Sequence, residues 1–317
     1  MHAKKENEIF ISRLYDAPVK LVWEAWTDDK KVAKWWGPRG FTITTHSKDL
    51  KVGGHWSYTM HGPDGTDYVN KTKYHVVEPY KKLVYDHGGN EDIDRAPLFR
   101  VTVTFEEKNG KTKMDMTMAL ATAEAAKETK KFIKKAGGNA TWDRLAEFLG
   151  EQEGQHPFYI NRSFEAPIAT VFKMWTDPMH VSKWMPPTGF TMEYMKADIR
   201  PGGSSFYKMT NGKDVTMYGS AHYIEISPVT KLVYAQDFRD KDGNISRHPM
   251  APLWPEAMLT TVTFAEEGPN ETRVTVQWKP HGKCTQEEID VFMNARAGMT
   301  MGWTGSFDKL EEYLTDK

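Results

Sequence analysis

The sequence predicts an α+β protein made of two tandem domains. Each is a curved antiparallel sheet around a long C-terminal helix, with two short helices after the first strand. Three features predict it: an internal repeat, period-two alternation through the middle of each copy, and a helical apolar stripe at the end of each. The repeat is plainest in residues 26–42, WTDDKKVAKWWGPRGFT, and 175–191, WTDPMHVSKWMPPTGFT, which share ten of seventeen positions. The match runs without a gap from Arg13–Tyr85 onto Arg162–Tyr234. It resumes as TVTF at 102–105 and 261–264, after a connection ten residues longer in the second copy. It closes as WDRLAEFL (142–149) against FDKLEEYL (307–314). A repeat of this length is a duplicated domain, because solenoid units recur every ~20–50 residues, and 317 residues accommodate two domains of ordinary size. The expected layout is a first domain at 1–150, a polar linker EQEGQHP at 151–157 and a second domain at 158–317.

Each copy opens on a short alternating strand, Glu8 to Tyr15 and Phe158 to Phe164. Ala17-Pro18 and Ala166-Pro167 then start a helix, because proline's fixed φ suits a first turn. Val22, Trp23 and Trp26 form its apolar face, as do Val171, Phe172 and Trp175. Thr27-Asp28 and Thr176-Asp177-Pro178 read as the start of a second short helix, ending near Trp35 in the first copy. After the Pro-x-Gly turn the period becomes two. In the first copy strands are expected at 41–49, 54–60, 67–78, 82–87, 98–107 and 111–120. Gly53-Gly54, Gly62-Pro63-Asp64-Gly65, Glu78-Pro79 and Asn109-Gly110 mark turns between them. The Asn109-Gly110 hairpin is the strongest, with Val101, Val103 and Phe105 facing Met114, Met116 and Met118.

The closing helix of the second copy is expected from about Thr285, which resembles a capped start, to Leu314. Trp303, Phe307, Leu310 and Leu314 form its buried stripe; Trp142, Leu145 and Leu149 do the same in the first copy. Ala136-Gly137-Gly138 and Ala297-Gly298 fall inside these helices. Glycine there costs about 1 kcal/mol relative to Ala, which predicts a kink or close packing against something.

Composition excludes several classes. Up to Gly150 there are 25 Lys+Arg against 21 Asp+Glu, and beyond it 17 against 22, so neither half carries the basic excess of a nucleic-acid-binding domain. The single cysteine, Cys284, excludes an internal disulfide framework and a cysteine metal cluster. The first residues, MHAKKENEIF, lack the apolar core of a signal peptide, and no run approaches the length of a membrane span. The expectation is a cytoplasmic protein without membrane insertion.

A curved sheet gripping one helix leaves a gap between them, and alternation assigns its walls. In the first copy Trp56, Tyr58 and Met60 share a face and join Val103, Phe105, Met116 and Met118 toward the closing helix. In the second copy the set is Ser205, Tyr207 and Met209, with Val276 and Trp278. Trp36 and Met185, the unmatched letters of the repeated phrase, are candidates for a lid or cavity mouth, whereas Trp35 and Trp184 read as scaffold. The alternative is complete filling by the same side chains. Trp56 against Ser205, and Met118 against Trp278, move bulk from one wall to another, so two pockets would differ. Arg39, matched by Thr188, reads as a solvated surface arginine, with a ligand carboxylate as the sharper alternative.

The phrases Ala-Pro, Trp-Thr-Asp, Lys-Trp-Trp-Gly-Pro, the Gly-Gly before the third strand and the C-terminal Gly302-Trp303 with Leu310 to Leu314 carry a resemblance. They are similar to the family related to the C-terminal domain of the activator of the Hsp90 ATPase, within the START/SRPBCC, birch-pollen-allergen-like superfamily. The resemblance covers nearly the whole chain, twice. It implies a tandem helix-grip fold. It also implies a cavity of the kind in which superfamily relatives bind lipids, steroids, plant hormones or polyketides, a few acting as cyclases or hydrolases. In the eukaryotic activator an additional N-terminal domain takes part in engaging the chaperone. This chain carries two copies of the C-terminal type instead, so a chaperone partner is the weaker implication.

No catalytic motif stands out. The histidines His46, His55, His61, His75, His87, His222, His248 and His281 form no metal-binding spacing. Asp49 and Asp198 precede Gly-Gly turns, where capping or an outward salt bridge accounts for them. The glycine pairs lack the context of a phosphate-binding loop. Cys284 with His281 is a candidate nucleophilic pair only on proximity, and the first copy has neither. The expected function is non-enzymatic binding of a small apolar or amphipathic molecule, with no cofactor and no metal, the two domains packing as an internal pseudo-dimer. The competing readings are a protein-interaction module and a START-type enzyme.

Overall fold

A computed structural model describes residues 5–88, 97–135 and 140–315. The chain divides into two compact units, Met1–Gly154 and Gln155–Lys317. The first runs β1 (Glu8–Tyr15), α1 (Val19–Thr27), α2 (Asp29–Trp35), β2 (Thr42–Lys48), β3 (His55–His61), β4 (Asp67–Glu78), β5 (Lys82–His87), β6 (Phe99–Lys108), β7 (Lys111–Ala119), α3 (Ala123–Lys135) and α4 (Ala140–Gln152). Its strands form one antiparallel sheet in the order β1-β7-β6-β5-β4-β3-β2. α4 continues to Gln152, so part of the stretch read as a linker is helical.

The second unit runs β8 (Phe158–Phe164), α5 (Ile168–Thr176), α6 (Pro178–Trp184), β9 (Thr191–Ala197), β10 (Ser204–Thr210), β11 (Thr216–Ser227) and β12 (Lys231–Arg239). It continues through β13 (Ile245–Ser246), β14 (Ala257–Gly268), β15 (Glu271–His281), α7 (Gln286–Asn294) and α8 (Arg296–Thr315). The strand order is the same, β8-β15-β14-β12-β11-β10-β9, with β13 added against β12.

Local chemistry explains the shared elements. The Asp28 carboxylate accepts from the backbone N–H groups of Lys30 and Lys31 at 2.9 Å, and Asp177 accepts from Met179 at 3.0 Å, so each starts the second short helix. The indole N–H of Trp35 donates to the Ala25 carbonyl, and that of Trp184 to the Met174 carbonyl, both at 2.9 Å. Both rings are fully buried. This duplicated tryptophan therefore ties the two short helices together. The second glycine of each Gly-Gly pair is required by space, because a Cβ on Gly54 or Gly203 would fall 2.1 Å from the carbonyl oxygen of Asp49 or Asp198. Asn109 and Gly110, with φ of 55° and 73°, make the tight hairpin between β6 and β7.

The closing helix of the second unit differs from the expected single helix. Thr285 and Glu288 form a reciprocal capping box, but the helix breaks at Ala295, whose N–H bonds the carbonyls of Val291 and Phe292. Gly298 follows the break, and nothing lies within 4 Å of where its Cβ would be, so close packing does not explain it. Ala136-Gly137-Gly138 lies outside the described residues. Among those described, no helix is long and apolar enough to cross a membrane.

Candidate functional site

The second unit holds a cavity of about 300 Å³ between the inner face of β9–β12 and helix α8. Strand alternation supplies one wall. Ser205, Tyr207 and Met209 line it from β10, and Leu232, Tyr234, Gln236 and Phe238 from β12. Met299, Trp303 and Ser306, at helical spacing, bring one face of α8 against it. Trp175 on α5, and Met185 and Pro187 after α6, close one side, while His248 enters from the connection that is longer in this copy.

Among the lining residues no carboxylate, lysine or arginine appears. The polar groups are neutral. Burial pushes the phenols of Tyr194, Tyr207, Tyr223 and Tyr234 above their ordinary range, keeping them protonated. The Ser205 and Tyr223 hydroxyls lie 3.2 Å apart. The Thr260 hydroxyl donates to the Gln236 carbonyl oxygen at 3.3 Å, leaving the amide nitrogen as the free end of that side chain. The Met250 backbone N–H donates to His248 Nδ1 at 3.1 Å, which places the proton of the neutral ring on Nε2. Burial lowers the pKa of His248, favouring this neutral form. Among the described residues, the buried indole N–H groups of Trp175, Trp278 and Trp303 have no partner.

Gly219 shapes the floor. A Cβ there would fall 2.6 Å from the Tyr207 hydroxyl, so only glycine lets Tyr207 lie across β11. Five candidates read from the second copy, Met185, Ser205, Tyr207, Met209 and Trp278, come together around this space. Val276 does not: it is fully buried in the core and is absent from the cavity wall.

In the first unit the matched positions Trp36 and Trp56 carry aromatic rings that pack on one another. Trp36 is only 8% exposed, so it is no lid. Its ring lies 5.2 Å from Trp56, 5.3 Å from Trp35 and 5.6 Å from Trp26, and its N–H donates to the Tyr58 hydroxyl at 3.2 Å. Trp56 stacks on Tyr58 at 4.1 Å, and Lys48 Nζ sits 4.6 Å from the Trp56 ring centre. Trp142 stacks on Trp26 from α4 at 5.3 Å. Val103, Phe105, Met116 and Met118 are buried beneath this cluster, and Met60 is half-buried at its edge.

Arg39 corrects the reading of a solvated surface residue. Its guanidinium makes two hydrogen bonds to the Glu147 carboxylate on α4, at 2.5 and 2.9 Å, and is mostly buried. The partnership was hidden because the two residues lie 108 positions apart. Arg144, whose role no local pattern reveals, donates from one nitrogen to the carbonyls of Gly37, Pro38 and Phe41 at 2.9–3.0 Å. In the second unit the matched Lys309 bonds the Pro186 carbonyl, and Ser306 donates to that of Met185 at 2.9 Å. A cation from the closing helix thus fastens the repeated Trp-Pro turn in both units. The aligned DRL and DKL of the two helices were its signal.

The remaining candidates do not assemble a reaction centre. His75 bonds Asp86 at 2.7 Å beside Arg100, away from the core. Asp49 and Asp198 pair with Lys51 and Arg200 at 2.9 Å. The Cys284 thiol lies 3.9 Å from the His281 carbonyl oxygen, and burial pushes its pKa up, which disfavours the thiolate. Among the described residues no group of three or more His, Cys, Asp or Glu is placed to hold a metal.

Two sheet-and-helix units of one topology, one of them with a cavity lined by no ionised group, define a tandem helix-grip-like protein. The family model described as "Activator of Hsp90 ATPase homolog 1-like protein" matches residues 16–150 and again 165–315, and the chain belongs to that family. Solved structures similar to it each cover about half of this chain. A Nitrosomonas europaea protein is 22% identical over 48% of this chain and 99% of its own, with a TM-score of 0.44. An Arthrobacter aurescens protein is 26% identical over 47% and 90%, with a TM-score of 0.42. A Silicibacter pomeroyi protein is 17% identical over 50% and 97%, with a TM-score of 0.39. Comparison with curated proteins returned no match.

Proposed function

We propose that the second unit binds a small, mainly apolar molecule between its sheet and α8 without transforming it, and that the first unit is its packed counterpart. The observation that carries this reading is the cavity of about 300 Å³, walled by Met185 and Ser205 where the first copy has Trp36 and Trp56. A wall with no ionised group suits retention of an apolar body, and supplies no acid–base pair for chemistry. Burying about 300 Å² of apolar ligand surface gives roughly 7 kcal/mol before the costs of association, consistent with micromolar binding at best.

The reading is tested by titrating the intact chain with the neutral probe tetralin, followed by tryptophan fluorescence. Saturable binding is expected, and Met185→Trp/Ser205→Trp, which writes the first unit's residues into the second, should abolish it while thermal unfolding stays cooperative. Equal binding by the wild type and this filled variant would place the probe elsewhere and end the proposal.

A further inference from the structure

The polar groups facing the cavity are unequal in kind, and the inequality says something about the occupant. This step rests on the binding reading above. At the β12 end, Gln236 and Phe238 point inward from the same strand face, and the His248 ring packs 4.7 Å from that of Phe238. The Gln236 carbonyl is already bonded by Thr260, and His248 Nδ1 by the Met250 backbone. What remains at that end is two donors, the Gln236 amide N–H and the His248 Nε2–H. The hydroxyls of Tyr194 and Tyr207 face the same space from β9 and β10, and the unpaired indoles of Trp175, Trp278 and Trp303 belong to the same wall. Nothing in the wall balances a buried charge of either sign, and desolvating an ion there without a partner is strongly unfavourable.

We infer that the occupant is an uncharged molecule bearing a hydrogen-bond acceptor, a ketone, ester or ether oxygen, docked at the end of the cavity formed by Gln236 and His248. An acceptor-free hydrocarbon leaves these donors unpaired once water is expelled, and a carboxylate must shed its hydration without meeting a cation. A protonated amine brings a cation to a wall with no carboxylate to meet it.

The test uses three molecules of one skeleton on the intact chain: 2-tetralone, tetralin and tetralin-2-carboxylate, titrated by calorimetry. The ketone is expected to bind about ten-fold more tightly than either of the others, the worth of one or two neutral hydrogen bonds. Gln236→Leu/His248→Phe should remove the ketone's advantage, so that ketone and hydrocarbon titrated on the variant bind with equal affinity. Equal affinity of ketone and tetralin for the wild type, or tightest binding of the carboxylate, overturns this inference and leaves the cavity as a binding site. Absence of saturable binding by all three overturns the binding reading itself.

Discussion

The two units share strand order, helix caps, the Trp35/Trp184 tie and the cation that fastens the turn, yet tryptophans fill the wall of one where a cavity lies beside the matched residues of the other. Three matched positions account for most of the contrast: Trp36 against Met185, Trp56 against Ser205, and Asn70 against Gly219. Losing the Trp56 indole vacates one wall. Replacing Trp36 removes the partner of the Tyr58 hydroxyl, and Gly219 lets the matched tyrosine lie flat on the sheet instead. The scaffold is thus carried by hydrogen bonds to backbone groups that both units retain, while the interior is free to differ.

The sharpest way to break the comparison is to open the first unit. Trp36→Met/Trp56→Ser should destabilise it by about 4 kcal/mol or more, since large-to-small changes lose both burial and packing. Loss of hydrogen-exchange protection in β3 and β4, with protection in β10 and β11 unchanged, is the expected signature. If the first unit kept its full protection, the tryptophan cluster would be decoration on a core held elsewhere.

Acid should separate the units next. Burial against Phe99, 4.9 Å away, lowers the His87 pKa from 6.5 to about 4. The unfolded chain therefore takes up this proton first, and stability is lost as pH falls from about 6.5 to about 4. The contribution is at most about 3.5 kcal/mol. The matched residue is Gln236, which does not titrate, so acid sensitivity of the second unit falls to other groups, the buried His248 among them. His87→Gln should flatten the acid limb of the first unit in urea denaturation at a series of pH values; an unchanged limb would assign acid sensitivity to other groups.

These contrasts also show what the sequence disclosed. Local signals were legible: the Asp28 and Asp177 caps, the Asn109-Gly110 hairpin, the alternation on β3 and β10, and the tie residues identified by their duplication. Contacts between distant segments were not. Arg39 with Glu147 and Arg144 with the Trp-Gly-Pro carbonyls depend on how α4 crosses the turn, which no local pattern encodes. Most of the polar end of the cavity was missed for the same reason. Gln236 lies just beyond the clear repeat, and His248 sits on the connection that is ten residues longer in this copy, where the two sequences do not align without a gap. The kink expected at Ala297-Gly298 falls two residues earlier, at Ala295, where the helix ends on a residue with ordinary αR backbone.

The smallest expected effect concerns that closing helix and sharpens the comparison most economically. Gly302 lies within α8 at the cavity rim, and nothing stands within 4 Å of where its Cβ would be. A glycine inside a helix costs about 1 kcal/mol relative to alanine, and no steric demand here requires it. Gly302→Ala should therefore raise the stability of the second unit by about that amount. Its methyl would also stand at the cavity rim, so tetralin affinity should fall a few-fold as access narrows. Stabilisation with weaker binding would mean that α8 retains a less stable residue because the space beside it is used. Stabilisation with unchanged binding would make Gly302 a neutral position, and the openness of the second unit would then rest on Met185, Ser205 and Gly219 alone.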